Sequence, residues 1–336
     1  MTEEMAPWSV IASAPANTML MGEHAVLFGY PALVCALQQR IYVQASKRSD
    51  GLLVIESALG QYQGDLVSPA QDSRFSFVLQ AVKSAQVNDL GVTLRIHSDF
   101  SHTLGLGSSA AVTVATLAAL ALLRQAALDP QEIMHLAIDV ICSVQGRGSG
   151  ADVAASALGG IVQFTAEPIK AKPIALTASA WQHTPPMCLV YCGYKTPTPK
   201  VIAQVAQAAA LDGPYYGHIY ANMGVCVVAS IAALEQQDWL LFGDCMRQYQ
   251  NLMRDLGVSD DTIEQILRLG AQQMSAAKSN PCAGKISGSG LGDCVLLMGT
   301  YSISGWPHVQ MALKMEPQGV RKEHKMPNHN ELQEHL

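Results

Sequence analysis

The hydrophobic positions of the chain follow two patterns. Short apolar runs at 10–14 and 33–37 predict buried strands, and strict alternation at 92–98 predicts a strand with one exposed face. A long run dense in Ala and Leu predicts a helix from just after Ser109 to about Gln125. The same signals predict strands at 41–45, 53–55, 161–164, 188–191 and 295–298 and helices at 75–82, 130–144, 200–210, 216–235, 237–255 and 260–276, whereas 308–313 fits either.

The length and composition predict two domains around a large core. The chain has 336 residues, of which 49% are hydrophobic and only 14% charged, well below the usual charged fraction of about 25%. A stretch rich in Pro and Thr at 167–186 predicts a domain junction. We therefore expect domains at 1–180 and 181–316, followed by a frayed polar tail at 317–336.

Charge and cysteine content exclude several classes of protein. The formal net charge of -6 argues against general nucleic-acid binding. No run of about 18 uninterrupted apolar residues predicts a membrane span, and the acidic start of the chain does not resemble a signal peptide. The eight scattered cysteines form no CxxC motif, which is typical of reduced core residues in a cytoplasmic protein.

A glycine-rich segment with two serines runs directly into the predicted Ala- and Leu-rich helix. Glycines allow close backbone approach to a ligand, and the first N–H groups of a helix attract anions. We expect this phosphate loop to bind ATP phosphates, although a helix with a glycine-rich entry and serine caps gives the same pattern. Its residues are Gly105, Leu106, Gly107, Ser108, Ser109 and Ala110.

Three further segments carry candidate chemistry. The second glycine loop, residues 146–152, ends in Asp152, which could accept a proton or cap the following helix. The third glycine loop, residues 284–294, precedes an apolar strand. The turn at 22–24 places Glu23 and His24 beside a second apolar strand. Neither GxxxxGK[ST] nor a strand–GxGxxG–helix unit occurs, so the chain lies outside the two commonest phosphate-binding designs.

The order of these four motifs over residues 10–300 resembles the small-molecule kinase superfamily of galactokinase, homoserine kinase, mevalonate kinase and phosphomevalonate kinase. Residues 22–32 resemble mevalonate kinases most, whereas the second and third glycine loops are closer to phosphomevalonate kinases. The resemblance implies an α+β fold with a ribosomal-protein-S5-like N-terminal ATP-binding domain, a ferredoxin-like C-terminal substrate domain and an active site between them. It also implies a small-molecule substrate and leaves a homodimer open.

The resemblance also implies roles for individual residues. ATP and Mg²⁺ would be required, with Ser109 as a Mg²⁺ ligand and Asp152 as the catalytic residue that receives the substrate's proton. The implied reaction is phosphorylation of the primary alcohol of mevalonate, in isoprenoid precursor synthesis. Substrate-binding roles would fall to Glu23, His24, Ser149, Gly150, Ser287 and Gly288.

Two departures from the superfamily pattern keep alternatives open. Asn17 stands where these kinases usually place a Lys, and Ile141 where mevalonate kinases usually place a Mg²⁺-binding Glu. A replacement cation could come from Arg147, Lys195 or Lys200. The alternatives are a phosphomevalonate or sugar kinase of the same superfamily, and a nucleotide-binding regulator without catalysis.

Overall fold

The computed structural model describes residues 9–87, 91–101, 105–146, 148–278 and 281–327. The strands are β1 (Ser9–Met21), β2 (Ala32–Arg48), β3 (Leu52–Ser57), β4 (Gly60–Asp65), β5 (Gly91–Ser98), β6 (Ile161–Ala166), β7 (Ile169–Pro173), β8 (Met187–Lys195), β9 (Ala283–Ser287), β10 (Gly292–Met298), β11 (Gln310–Leu313) and β12 (Arg321–Glu323). The helices are α1 (Ser76–Ser84), α2 (Ser108–Leu123), α3 (Pro130–Gln145), α4 (Ala151–Leu158), α5 (Ala178–Gln182), α6 (Thr198–Leu211), α7 (Gly213–Glu235), α8 (Trp239–Asp255) and α9 (Asp261–Ala276).

The chain divides into two compact units. Unit 1 comprises 1–17, 38–159 and 318–336, and unit 2 comprises 18–37 and 160–317. The expected boundary at 180/181 falls inside α5, and the expected tail contributes residues to unit 1. Which substrate each domain binds stays a prediction.

Unit 1 places four helices beside a mixed sheet. Strand β5 pairs antiparallel with β2 and parallel with β3, and β3 pairs antiparallel with β4. Alternate side chains of these strands, such as Val43, Ile55 and Leu94, are fully buried. Helix α2 has apolar residues around its whole circumference, and it is almost entirely buried because α1, α3 and α4 pack against it.

Unit 2 contains two groups of antiparallel strands. Residues 32–35 of β2 pair with β6, which pairs with β7. A second sheet has the order β11-β8-β10-β9; α8 packs against β9, and α9 packs across β9, β10 and β8. The strand alternative at 308–313 is therefore confirmed by β11.

The expectation of a frayed tail from Pro317 is wrong for its described part. Residues 321–323 form β12, which pairs antiparallel with Ile11–Ser13 of β1. The buried Arg40 side chain donates to the carbonyls of Gln318 and Gly319, which fixes the segment that leads into β12. The polar sequence did not reveal this strand because its contacts come from residues about 280–310 positions earlier.

Helix α7 is long and apolar enough to cross a membrane by length and composition. Its most apolar window has a mean hydropathy of 1.5, and 56% of that window is buried inside the protein. A buried core helix of this length can have an equally high mean hydropathy.

Candidate active site

The phosphate loop joins α2 through a glycine in the left-handed conformation. Gly107 is the N-cap of α2 with φ 66°, and glycine provides no side chain to accept a hydrogen bond from the first turn. No acidic residue lies in that turn, and Ser108 and Ser109 are half-buried. The first N–H groups of α2 are therefore left for an anion. Residues 102–104, which precede this loop, lie outside the described residues.

The second glycine loop also enters a helix through a left-handed glycine. Gly150, with φ 85°, is the N-cap of α4, and the Ala151 N–H donates to Ser149 Oγ at 3.3 Å. Asp152 is the second residue of α4 and is exposed. It lies in the first turn rather than at the cap, so the alternative that Asp152 caps this helix is wrong.

Asn17 lies against both motifs within unit 1. Its backbone N–H donates to Leu106 O at 3.1 Å, and its side-chain Nδ2 donates to Ser156 Oγ at 3.0 Å. Asn17 is only 2% exposed. The position that usually holds a Lys is therefore occupied here by a buried neutral amide with a hydroxyl partner.

In unit 2, a buried ion pair holds the turn at 22–24. Glu23 and Lys285 are 5% and 0% exposed, and their side chains form a salt bridge. Burial lowers the pKa of Lys285, an effect that the neighbouring Glu23 opposes. Tyr249 adds a hydrogen bond of 2.9 Å to Glu23 O. The turn is thus fixed by residues far away in the sequence.

His24 links the same turn to the third glycine loop. Its backbone has φ 60°, and its ring Nε2 lies 2.9 Å from Ser289 O. Burial lowers the pKa of His24, while the hydrogen bond to Ser289 and the charge of Glu23 oppose that shift. The neutral imidazole with Nε2–H as donor fits this contact.

Besides His24, Thr18 and Gln250 hold the third glycine loop within unit 2. Ser287 Oγ and Thr18 Oγ1 share a hydrogen bond of 3.2 Å, and the Ile286 N–H donates to Gln250 Oε1 at 2.8 Å. Gly288 has φ 94°, a conformation in which glycine avoids strain. Unit 2 therefore brings together four of the predicted substrate-binding residues: Glu23, His24, Ser287 and Gly288.

The three candidate replacement cations have different surroundings. Lys195 Nζ lies 2.6 Å from Asp293 Oδ2, so its charge is already paired beside the third glycine loop. Lys200 is exposed in the first turn of α6. Arg147 lies outside the described residues.

Of the predicted Mg²⁺ ligands, the structure provides one hydroxyl. Within the described ranges, no group of three or more His, Cys, Asp or Glu side chains could hold a metal ion. Ser109 is half-buried at the start of α2, where its hydroxyl could join phosphate oxygens and water around Mg²⁺. Ile141, which stands where mevalonate kinases usually place a Mg²⁺-binding Glu, is buried on α3 near the position where a Cβ on Gly148 would lie.

Sequence reasoning missed several residues that hold the motifs in place. Lys285 is a charged residue in the buried strand β9, directly before the apolar Ile286, a position that could have indicated a buried ion pair. No local pattern marked the contacts that the others make with distant segments: Thr18, Ser156, Tyr249 and Gln250.

Known protein families match the regions that carry these motifs. The GHMP kinases N terminal domain matches residues 76–160, and the GHMP kinases C terminal domain matches 230–302. The galactokinase galactose-binding signature matches 2–47, which includes the turn at 22–24. The matched ranges contain the phosphate loop, the second glycine loop with Asp152, and the third glycine loop.

Relatives cover most of the chain. The mevalonate kinase of Archaeoglobus fulgidus is 31% identical over 322 residues, covering 94% of this chain and 100% of the relative. The mevalonate kinase of Thermococcus gammatolerans is 30% identical over 307 residues, covering 85% and 88%. The structure of Methanococcus jannaschii mevalonate kinase is similar, with a TM-score of 0.77 at 20% identity, covering 91% of this chain and 98% of that one.

The fold and the motifs define a small-molecule kinase, and the chain belongs to the GHMP kinase family. It is an ATP-dependent alcohol kinase. The predicted superfamily and the two-domain α+β fold are confirmed.

Proposed function

We propose that the protein transfers the γ-phosphate of ATP to the primary alcohol of mevalonate, giving 5-phosphomevalonate and ADP for isoprenoid precursor synthesis. The observation that carries this proposal is the match to archaeal mevalonate kinases at 30–31% identity over 85–94% of the chain. Phosphoryl transfer needs positioning and charge neutralisation more than covalent participation of the protein. The two glycine-capped helices supply that kind of environment.

Each motif has a role in this reaction. The open N-terminus of α2 would hold the ATP phosphates. Asp152 would accept the proton of the alcohol as the alcohol oxygen bonds to the γ-phosphorus and ADP leaves. Mg²⁺, when bound, would neutralise phosphate charge, with Ser109 as the chain's ligand. Ser149 and Gly150 in unit 1, and Glu23, His24, Ser287 and Gly288 in unit 2, would contact the substrate.

Phosphomevalonate kinase is the second candidate. The third glycine loop, with Asp293 after its last glycine, resembles that enzyme's loop more closely. The fold does not separate the two activities, because the Streptococcus pneumoniae phosphomevalonate kinase structure also matches, with a TM-score of 0.69 at 18% identity, covering 86% of this chain and 92% of that one.

A substrate panel tests the proposal. ADP release would be measured with mevalonate, phosphomevalonate and galactose, and the product identified by phosphorus NMR. We expect turnover with mevalonate at a kcat/KM at least about tenfold above the other alcohols, a difference of about 1.4 kcal/mol. Turnover with phosphomevalonate alone would select the second candidate. ATP binding without turnover of any alcohol would instead indicate a regulator.

Removal of the charges at Lys195 and Asp293 tests the replacement-cation hypothesis. If Lys195 acts on the reacting phosphate, Lys195→Met and the double variant Lys195→Met/Asp293→Asn should both lose turnover. If it only neutralises Asp293, the double variant should recover turnover because no unpaired carboxylate remains. Arg147→Met is the parallel test of the other cation, and wild-type turnover and pH profile in both single variants would reject the hypothesis.

A further inference from the structure

Asn17 connects the phosphate loop to α4, two segments that are more than 40 residues apart in sequence. Its backbone N–H donates to Leu106 O in the phosphate loop, and its Nδ2 donates to Ser156 Oγ on α4. Asn17 is 2% exposed and Ser156 is fully buried, so water does not compete for either contact. All of these residues belong to unit 1.

On the loop side, the contact is a close packing contact as well as a hydrogen bond. A Cβ added at Gly107 would collide with the side-chain amide of Asn17. Gly107 also has φ 66°, which glycine adopts without strain. The Asn17 amide therefore occupies the space beside the N-cap of α2 and limits where the phosphate loop can lie.

On the helix side, the contact lies one turn after the proposed proton acceptor. Ser156 is four residues after Asp152 on α4, and its hydroxyl donates to Pro15 O at 2.8 Å. This hydroxyl therefore accepts from Asn17 and donates to the same strand, β1. Movement of α4 relative to β1 would break both hydrogen bonds.

The surroundings of Asn17 suit a neutral amide rather than a cation. Asn17 Nδ2 donates to the Ser156 hydroxyl and the amide lies beside Gly107, whereas a buried ammonium group would need an opposite charge to offset its desolvation. Asparagine is short enough to fit beside Gly107 and still provides the donor that Ser156 accepts.

We propose that Asn17 is a positioning residue that fixes the phosphate loop and α4, and with α4 the Asp152 carboxylate, relative to each other. The consequence for catalysis rests on the proposed function, whereas the consequence for loop rigidity does not. Asn17 acts through Leu106, Gly107 and Ser156, and it needs no contact with ATP or the alcohol.

The test compares two variants of this connection with a matched control. Asn17→Ala removes the amide, and Ser156→Ala removes its hydroxyl partner. Ser13→Ala is the control, since Ser13 lies on β1 four residues earlier, is equally buried and bonds Arg40 and Glu323 instead of the loop. Thermal midpoints, kcat and KM would be measured for all three and for the double variant Asn17→Ala/Ser156→Ala.

Positioning predicts a split between kcat and KM. Asn17→Ala and Ser156→Ala should each lower kcat by about 10- to 100-fold, with the KM for the alcohol within about threefold of wild type. The double variant should lose little more than the worse single variant, because both break the same connection. Ser13→Ala should keep kcat despite a lowered thermal midpoint.

Either of two kinetic results would overturn the proposal: a wild-type kcat in folded Asn17→Ala, or an equal loss of kcat in Ser13→Ala. A second measurement decides the question even if the wild type phosphorylates no alcohol. Amide hydrogen exchange at residues 105–111 should be faster in Asn17→Ala and Ser156→Ala but not in Ser13→Ala. Unchanged exchange there would reject the positioning role, whereas an inactive wild type with the expected exchange would reject only the proposed function.

Discussion

Helices α2 and α3 are neighbours in unit 1, and they begin in opposite ways. At the start of α3, Asp129 accepts a hydrogen bond of 2.9 Å from the Gln131 N–H, and Glu132 lies in the first turn. At the start of α2, the N-cap is Gly107, and the first turn contains no acidic residue. The sequence satisfies the N–H groups of α3 with its own side chains and leaves those of α2 for a ligand.

The same contrast extends to other helices. Asp238 and Asp260 cap α8 and α9 with their side chains, whereas α4 shares with α2 a left-handed glycine at the N-cap. The two glycine-capped helices are the ones that follow the phosphate loop and the second glycine loop. Among the described helices, a left-handed glycine at the N-cap therefore distinguishes these two, since α1 and α6 also lack a side-chain cap but begin after Phe75 and Pro197.

The largest expected effect is a loss of turnover on substitution of Asp152, the acidic residue in the first turn of α4. Asp152→Asn should lower kcat by about 10²–10⁴-fold, because a positioned proton acceptor is lost, while binding of a non-hydrolysable ATP analogue stays close to wild type. The matched control is Asp129→Asn, since Asn is an equally good N-cap and α3 has no proposed role in catalysis. Near-normal turnover in Asp152→Asn would remove this residue from the mechanism.

The next effect tests the open start of α2 directly. Ser108→Asp places a carboxylate at the first residue of α2, where it should repel the ATP phosphates and lower nucleotide affinity by about tenfold or more, measured by calorimetry. The same charge should slightly stabilise the helix. Gln131→Asp, near the start of α3, should leave nucleotide affinity unchanged. If Ser108→Asp binds ATP normally, the phosphates do not lie at this helix end.

A smaller effect is expected at the proposed Mg²⁺ ligand. Ser109→Ala removes one hydroxyl oxygen, so the Mg²⁺ concentration for half-maximal turnover should rise by about three- to tenfold. A change of that size corresponds to the loss of one contact about as strong as a hydrogen bond. Ser108→Ala serves as the control because the neighbouring hydroxyl has no proposed metal contact. Equal Mg²⁺ dependence in both variants would argue against Ser109 as a ligand.

The smallest effect concerns pH and the turn in unit 2. Burial lowers the pKa of His24, so the unfolded chain binds more protons than the folded one just below the ordinary His pKa of about 6.5. The free energy of unfolding should therefore fall as pH decreases from about 6.5, by at most about 1.4 kcal/mol per pH unit for this one proton. His24→Gln should reduce that slope in denaturant titrations, and an unchanged slope would assign it to other groups.

The sequence alone determined the motifs and most of the longer elements, but not β4, β7, α5 or β12. Apolar periodicity predicted β5, α3 and the long helices of unit 2, because burial requires that one face or all faces of an element be apolar. The glycine loops were visible for a local reason, since left-handed backbone at Gly107 and Gly150 favours one residue type.

Only the tertiary structure decided what holds those motifs. The pairing of Glu23 with Lys285 spans more than 260 residues, and β12 exists because β1 and Arg40 provide partners for a polar segment. Asn17 is a further example. The sequence shows only that Asn stands where a Lys is usual, whereas the structure shows a buried amide that contacts Leu106 and Ser156. A local pattern records which face of an element is apolar, but a buried polar group is stabilised only by the particular partner that the fold brings to it.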